Sequence, residues 1–279
     1  MSKGVVLIAR NNSEVDYVGQ ANYLAFRIRK YLNLPTTLIT DNKSYLDSKY
    51  PDNIFDQVIE TNINPNFTYK KYQDGLFSRK SLEFKNTSRS SAYDLTPYDE
   101  TLLLDTDFII SNSDLIECFE QPNNFLIYKS AFDLSGWRNM SEFTNISESG
   151  PEFYWATAVF FKKNPEIKIF FDLIKHIQEN YSHYSSLYQL NTKVFRNDHA
   201  FSIAIHIMNG YKKGNFAKPM PGTMYFATDR DVLISIEDDN FILLLEKEKQ
   251  SGQYFPCKIT GSNVHVMNKF SLGRVIADA

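Results

Sequence analysis

The run Thr101-Leu102-Leu103-Leu104 leads without interruption into Asp105-Thr106-Asp107. A segment this apolar predicts a strand covered on both faces, which sets it inside a sheet rather than at the rim. Its end must then lie where the sheet meets solvent or a ligand. Two carboxylates two residues apart share one side of an extended chain. They repel each other and resist desolvation, so folding alone does not favour them there. A divalent cation resolves the conflict, since Mg²⁺ and Mn²⁺ take oxygen ligands and are commonly completed by substrate phosphates. The plain alternative is a surface turn with a helix-capping aspartate, and the buried strand in front favours the metal.

The chain before this motif predicts the sheet it belongs to. Val5–Ala9 is an aliphatic strand. Ala21, Leu24, Ala25, Ile28 and Leu32 recur at helical spacing, so Val18–Leu32 is a helix with Arg29 and Lys30 near its end. Thr36–Thr40 and Gln57–Thr61 are further strands. A β-α-β-β start of this kind belongs to an α/β fold with a mostly parallel sheet flanked by helices. Such sheets bind ligands at the carboxyl ends of their strands. Arg10, Asn11 and Asn12 follow the first strand, and form either a plain turn or the lip of a ligand site.

Between Lys70 and Arg89 lie six basic residues and two acidic ones, a local charge of +4. This is either a solvated helical face or a segment facing an anion. Phe125–Ser130 and Tyr154–Phe161 predict strands, with Tyr154-Trp155 either in the core or stacked on an acceptor. Asp133–Pro151 predicts a loop, and Pro165–Tyr181 an amphipathic helix. Asn197-Asp198-His199 opens another helix, where Asp198 is either its N-cap or a functional carboxylate. Asp229-X-Asp231 repeats the acidic spacing. No buried strand is predicted before it, so it is assigned to a loop. His265, between Val264 and Val266, is either a core histidine or a metal ligand.

The segment Tyr98-Asp-Glu-Thr-Leu-Leu-Leu-Asp-Thr-Asp-Phe-Ile resembles the signature of GT-A-fold, DXD-containing glycosyltransferases, in particular the glycogenin and galactosyltransferase-like group. The resemblance extends from Val5 to about Lys269. It implies a Rossmann-like GT-A sheet with a smaller mixed C-terminal part. It also implies one domain over 1–279, with a nucleotide-binding half at 1–112 and an acceptor-binding half at 113–279. Asp105, Asp107 and His265 would hold Mn²⁺ or Mg²⁺. Arg10, Asn11, Arg89, Asp105, Thr106 and Lys269 would meet a nucleotide-diphosphate sugar, such as a UDP-sugar. Asp198 would meet the donor sugar or the acceptor, and would be the base of an inverting enzyme. The sequence departs from the family pattern at His199, where Gln is usual, and lacks the Gly-X-Lys-Pro-Trp ending after His265.

Phe195-Arg-Asn-Asp-His-Ala-Phe-Ser-Ile-Ala-Ile-His-Ile-Met-Asn-Gly210 is also similar to glycosyltransferases of large tailed phages. That likeness implies hydroxymethylcytosine in DNA as acceptor, with glucose or arabinose transferred. The alternatives are an enzyme decorating surface polysaccharide and a non-catalytic sugar-nucleotide-binding domain. The 279 residues carry a net charge of −3, which argues against a generally basic nucleic-acid coat but leaves room for one local basic face. Cys118 and Cys257 predict buried free thiols in a reducing compartment. No stretch reaches the length of a membrane span. The expected setting is cytoplasmic, the host cytoplasm for a phage protein.

Overall fold

The computed structural model describes residues 1–61 and 68–277. β1 (Lys3–Ala9) passes through α1 (Tyr17–Tyr31) to β2 (Thr36–Thr40), then through α2 (Lys43–Lys49) to β3 (Gln57–Glu60). β4 (Thr68–Asp74) and β5 (Ser78–Phe84) form an antiparallel hairpin. The segment 70–84 is thus not a helical face but a strand pair, and only Arg89 at its far end opens a short 3-10 helix. The short α3 (Ala92–Leu95) precedes β6 (Glu100–Leu104), and a turn joins β6 to β7 (Phe108–Ile109). β8 (Phe125–Tyr128), β9 (Phe132–Asp133) and β10 (Trp155–Lys162) follow. The helices α4 (Pro165–Glu179), α5 (Tyr181–Leu187) and α6 (Asn197–Met208) come next. The last part contains β11 (Met224–Ala227), β12 (Val232–Glu237), β13 (Asn240–Glu246), β14 (Tyr254–Thr260), β15 (Asn263–Val266) and α7 (Lys269–Ala277).

The central sheet has the order β3-β2-β1-β6-β10-β8. Its first four strands are parallel, and β10 runs antiparallel between β6 and β8. Strands β2 and β6 are buried along their whole length, as their unbroken apolar and Thr-rich sequences require. The architecture is therefore the expected α/β one, a mostly parallel sheet flanked by helices. A second sheet, β7-β15-β11-β9, and an antiparallel sheet, β12-β13-β14, make up the smaller mixed part. The apolar core divides in the same way. One cluster surrounds the central sheet, and a second gathers Phe241, Leu243, Leu245, Val264 and Leu272. Among the described residues, no helix is long and apolar enough to cross a membrane. Cys118 is buried and Cys257 half-buried, both as free thiols.

Local chemistry fixes the start of the sheet. Tyr98 lies flat against Gly4, so closely that a Cβ at that position would collide with its ring. Its hydroxyl shares a 2.9 Å hydrogen bond with Thr37 Oγ1 on β2. Asp99 accepts the Ser2 N–H at 2.8 Å. The Tyr98-Asp99 pair thus ties the entry of β6 to β1 and β2. At the other end, Asp16 caps α1 by accepting the Gly19 N–H at 2.9 Å. The same carboxylate accepts from Asn11 Nδ2 and from the hydroxyls of Tyr45 and Tyr50.

Gly4→Ala forces Tyr98 to move and should cost about 1–3 kcal/mol by chemical denaturation. Burial would raise the Asp16 carboxyl, but its donors outweigh burial and hold it below the ordinary carboxylate value. Its contribution is therefore complete above an unfolded-state pKa of about 3.9 and is lost as pH falls through the lower folded value. Asp16→Asn should lower stability by about 1–3 kcal/mol at pH 7, and the gap to wild type should close on acidification.

Candidate metal and diphosphate site

The Asp105-Thr106-Asp107 motif is not part of the strand. It is the turn between the central sheet and the second sheet, closed by the Phe108 N–H donating to the Asp105 carbonyl at 3.1 Å. The carboxylates converge through this turn rather than through strand alternation. Directly after it, β7 pairs antiparallel with β15, setting Ile109 against Val264 and Phe108 against His265. The Val266 N–H donates to the Asp107 carbonyl at 2.9 Å. This pairing brings His265 to the motif. Its Nε2 lies 3.2 Å from Asp107 Oδ2. One ligand atom from each of Asp105, Asp107 and His265 falls within 4.8 Å of the others.

Thr157, near the start of β10, organises the back of the group. Its carbonyl accepts the Asp105 N–H at 2.8 Å and a longer hydrogen bond of 3.4 Å from Arg89 Nη2. Its hydroxyl lies 3.4 Å from His265 Nδ1, a partner that fixes the ring with Nε2 towards Asp107. Sequence reasoning missed Thr157; the small residues Ala156 and Ala158 on either side were the available signal.

Cations balance the acids one by one. Arg89 is buried, and its Nη1 stands 2.9 Å from Asp105 Oδ1. Lys269 forms an ion pair with Asp107 and donates to the Met267 carbonyl at 3.2 Å. Arg196 pairs with Asp198 at 3.0 Å. The two aspartates differ in access, with the Asp105 side chain 38% exposed and that of Asp107 only 5%. Burial, against the pull of Arg89 and with the charge of Asp107 beside it, raises the Asp105 carboxyl. Burial would also raise Asp107, but Lys269 and His265 prevail and hold it well below the carboxylate range.

These residues sit on the wall of a cavity of about 840 Å³ at the carboxyl ends of β1 and β6. Asp105, Thr106, Asp107, Asp198, His265 and Lys269 all line it. Thr106 also donates from its hydroxyl to Gln20 Oε1 at 3.2 Å. Arg10, Asn11 and Arg89 are not among the lining residues. Arg10 is fully buried and donates to Thr61 Oγ1 at 3.0 Å, to Ser88 Oγ and, from its backbone, to Asn86 Oδ1 at 2.8 Å. Asn11 accepts the Val18 N–H at 2.9 Å and so steadies the start of α1. Arg89 reaches the site only through Asp105.

Asp198 is the second residue of α6 and makes no cap there. One of its oxygens accepts the Ala156 N–H at 3.0 Å. Burial raises its carboxyl, but Arg196 and His199 reverse that and leave it below the ordinary value. His199 turns into the core, 3.0 Å from the Tyr181 hydroxyl, and burial lowers it to about 4. Trp155 is buried, yet it also borders the cavity.

The second Asp-X-Asp is preceded by a buried strand after all. β11 pairs parallel with β15, but it has only four residues after Gly222-Thr223, too short a run to stand out in sequence. Asp231 is buried and binds Arg138, which also pairs with Asp133. Asp229 borders the cavity, and burial raises its carboxyl.

No protein-family model and no curated protein matches this sequence. Solved structures of similar shape include the glycosyltransferase GlyE of Streptococcus pneumoniae TIGR4, at 13% identity and TM-score 0.44. That alignment covers 79% of this chain and 45% of GlyE, so the chain spans under half the length of this neighbour. The galactosyltransferase LgtC, solved with donor and acceptor sugar analogues, aligns at 12% identity over 81% of this chain and 74% of its own, TM-score 0.43. The bifunctional IspDF of Campylobacter jejuni aligns at 13% identity over 80% and 50%, TM-score 0.42. These proteins differ in kind, and likenesses this remote do not choose among them.

Because Lys269 occupies Asp107, an incoming cation must compete with its ammonium group. Lys269→Met should therefore tighten binding of Mn²⁺ alone by severalfold in calorimetry. Asp107→Ala should abolish that binding.

Proposed function

We propose that this chain is a metal-dependent glycosyltransferase, moving a sugar from a nucleotide-diphosphate sugar to an acceptor hydroxyl. The observation that carries it is the convergence of Asp105, Asp107 and His265 on the wall of a large cavity at the carboxyl edge of a parallel sheet. Two carboxylates and an imidazole suit a divalent cation, and the predominance of oxygen suits Mn²⁺ or Mg²⁺. When bound, such a cation supplies electrostatic stabilisation to a departing diphosphate.

The chain's own residues supply the rest. Arg89 and Thr157 fix Asp105, and Thr157 also orients His265. Lys269 is held protonated by Asp107 against the effect of burial, so it can pass to a phosphate oxygen once Asp107 is taken up. Asp198 keeps its negative charge and is pinned by a backbone N–H and a guanidinium. A carboxylate of lowered basicity suits holding sugar hydroxyls and the charge of an oxocarbenium-like transition state better than taking a proton. Trp155 and Phe143 give the cavity apolar surface against which a sugar ring can lie. Arg10 and Asn11 support the frame rather than the donor. On this view 1–112 contributes most of the donor side and 113–279 most of the acceptor side.

The acceptor is assigned no further than a hydroxyl-bearing molecule. A hydroxymethylcytosine acceptor in DNA calls for a basic track along a phosphate backbone. Of the six basic residues in 70–89, all but Arg79 are engaged: Arg89 is buried, Lys80 pairs with Glu14, Lys85 lies 3.9 Å from Glu83, and Lys70 and Lys71 border the cavity. That distribution favours service to the donor over a track for DNA.

A panel of nucleotide sugars with Mn²⁺ tests the proposal. One donor should be hydrolysed slowly without acceptor. Asp105→Ala and His265→Ala should each lower that rate by on the order of 10²-fold or more while the fold persists by circular dichroism. Absence of turnover and of binding across the panel would end the proposal.

A further inference from the structure

Among the described residues, Lys70 is a cation of the cavity wall that no acid pairs with. It lies on β4 and lines the cavity with Asp105, Asp107 and Lys269. Arg89, Lys269 and Arg196 each have an aspartate partner. Among the described residues, no carboxylate lies within 4.0 Å of Lys70 Nζ. Its ammonium instead sits 3.4 Å over the ring centroid of Phe84 on the neighbouring strand β5. The charged groups facing it are Asp105 from the β6–β7 turn, Arg196 and Asp198 from the start of α6, and Lys269 from α7.

The hairpin that carries Lys70 is anchored on both of its strands. The Tyr72 hydroxyl meets that of Tyr17 at 2.9 Å. Asp74 pairs with Arg274 at 2.7 Å and accepts from Asn268 Nδ2 at 3.1 Å. Asn12, after β1, donates to the Glu83 carbonyl at 2.8 Å and holds the second strand. Lys70 is therefore presented to the cavity from a braced element. A half-buried cation held on an aromatic face, with no carboxylate bonded to it, can receive an anion.

We propose that Lys70, delivered by the β4–β5 hairpin, binds the diphosphate of the nucleotide-sugar donor as a second cation beside Lys269. This rests on the proposed glycosyltransferase function and assigns the hairpin a part in it. No carboxylate closes on this ammonium, which leaves it open to an anion in the cavity. Burial, joined by the charge of Arg196, lowers the ammonium to about 7, and a bound diphosphate would raise it again. Diphosphate binding above pH 7 should then draw in a proton.

Calorimetry with inorganic pyrophosphate and with UDP, each in Mn²⁺, tests this on the full chain. Lys70→Met keeps the apolar stem over Phe84 and removes the charge. It should weaken both ligands by on the order of tenfold or more, the worth of a charge-assisted hydrogen bond. Binding of Mn²⁺ alone should stay within about twofold, and Lys70→Arg should recover most of the affinity. Titrations at pH 8 in buffers of different ionisation heat should show proton uptake in wild type and a loss of it in Lys70→Met. Wild-type affinity for pyrophosphate in Lys70→Met would overturn the role of Lys70 and leave the glycosyltransferase proposal standing. Failure of the wild type to bind either ligand would overturn both.

Discussion

The antiparallel pairing of β7 with β15 is what makes a site out of residues scattered along the chain. Asp107 and His265 are 158 positions apart, yet two backbone partnerships hold them in register. A one-residue slip would turn His265 to the opposite face and bury Val264 or Val266 against the aspartates. The same pairing joins the two sheets. β6 ends the central sheet, the Asp105–Asp107 turn crosses over, and β7 begins the second one. The candidate metal group therefore sits at the seam of the fold, where neither sheet alone could place it.

That seam concentrates charge in a poorly hydrated place, and the structure answers with neighbouring opposites. Each of Asp105, Asp107 and Asp198 has its own cation. These pairs are not evidence of added stability, since the cost of desolvating a buried pair can equal its attraction. Their effect is to keep the carboxylates ionised and aimed. Arg138, between Asp133 and Asp231, repeats the device on the far wall and braces the loop after β9. Lys70, over Phe84, is the exception to the pattern.

Much of this frame was legible in the sequence, because long apolar runs and helical spacing record burial directly. β1, β2, β6, α1 and α4 stand where the sequence predicts them, within one or two residues. The aspartates of the turn were legible from the strand before them. The β4–β5 hairpin was not, because its residues alternate weakly and its basic side chains imitate a solvated helix face. The burial of Arg10 was not legible either. A charged residue at a strand end normally faces solvent or ligand, and only tertiary structure supplies Thr61, Ser88 and Asn86 as partners. β11 was too short to reveal that Asp229 and Asp231 follow a buried strand. His265 was a candidate in sequence, but its place beside Asp107 depends on strand pairing that no local pattern records.

In the proposed enzyme Asp105, Asp107 and His265 together hold one divalent cation. Electron–nuclear double resonance of bound Mn²⁺ measures this most directly. One imidazole should give a nitrogen hyperfine coupling, absent in His265→Ala. Tightly bound Mn²⁺ with no nitrogen ligand, or with a coupling unchanged in that variant, would contradict it.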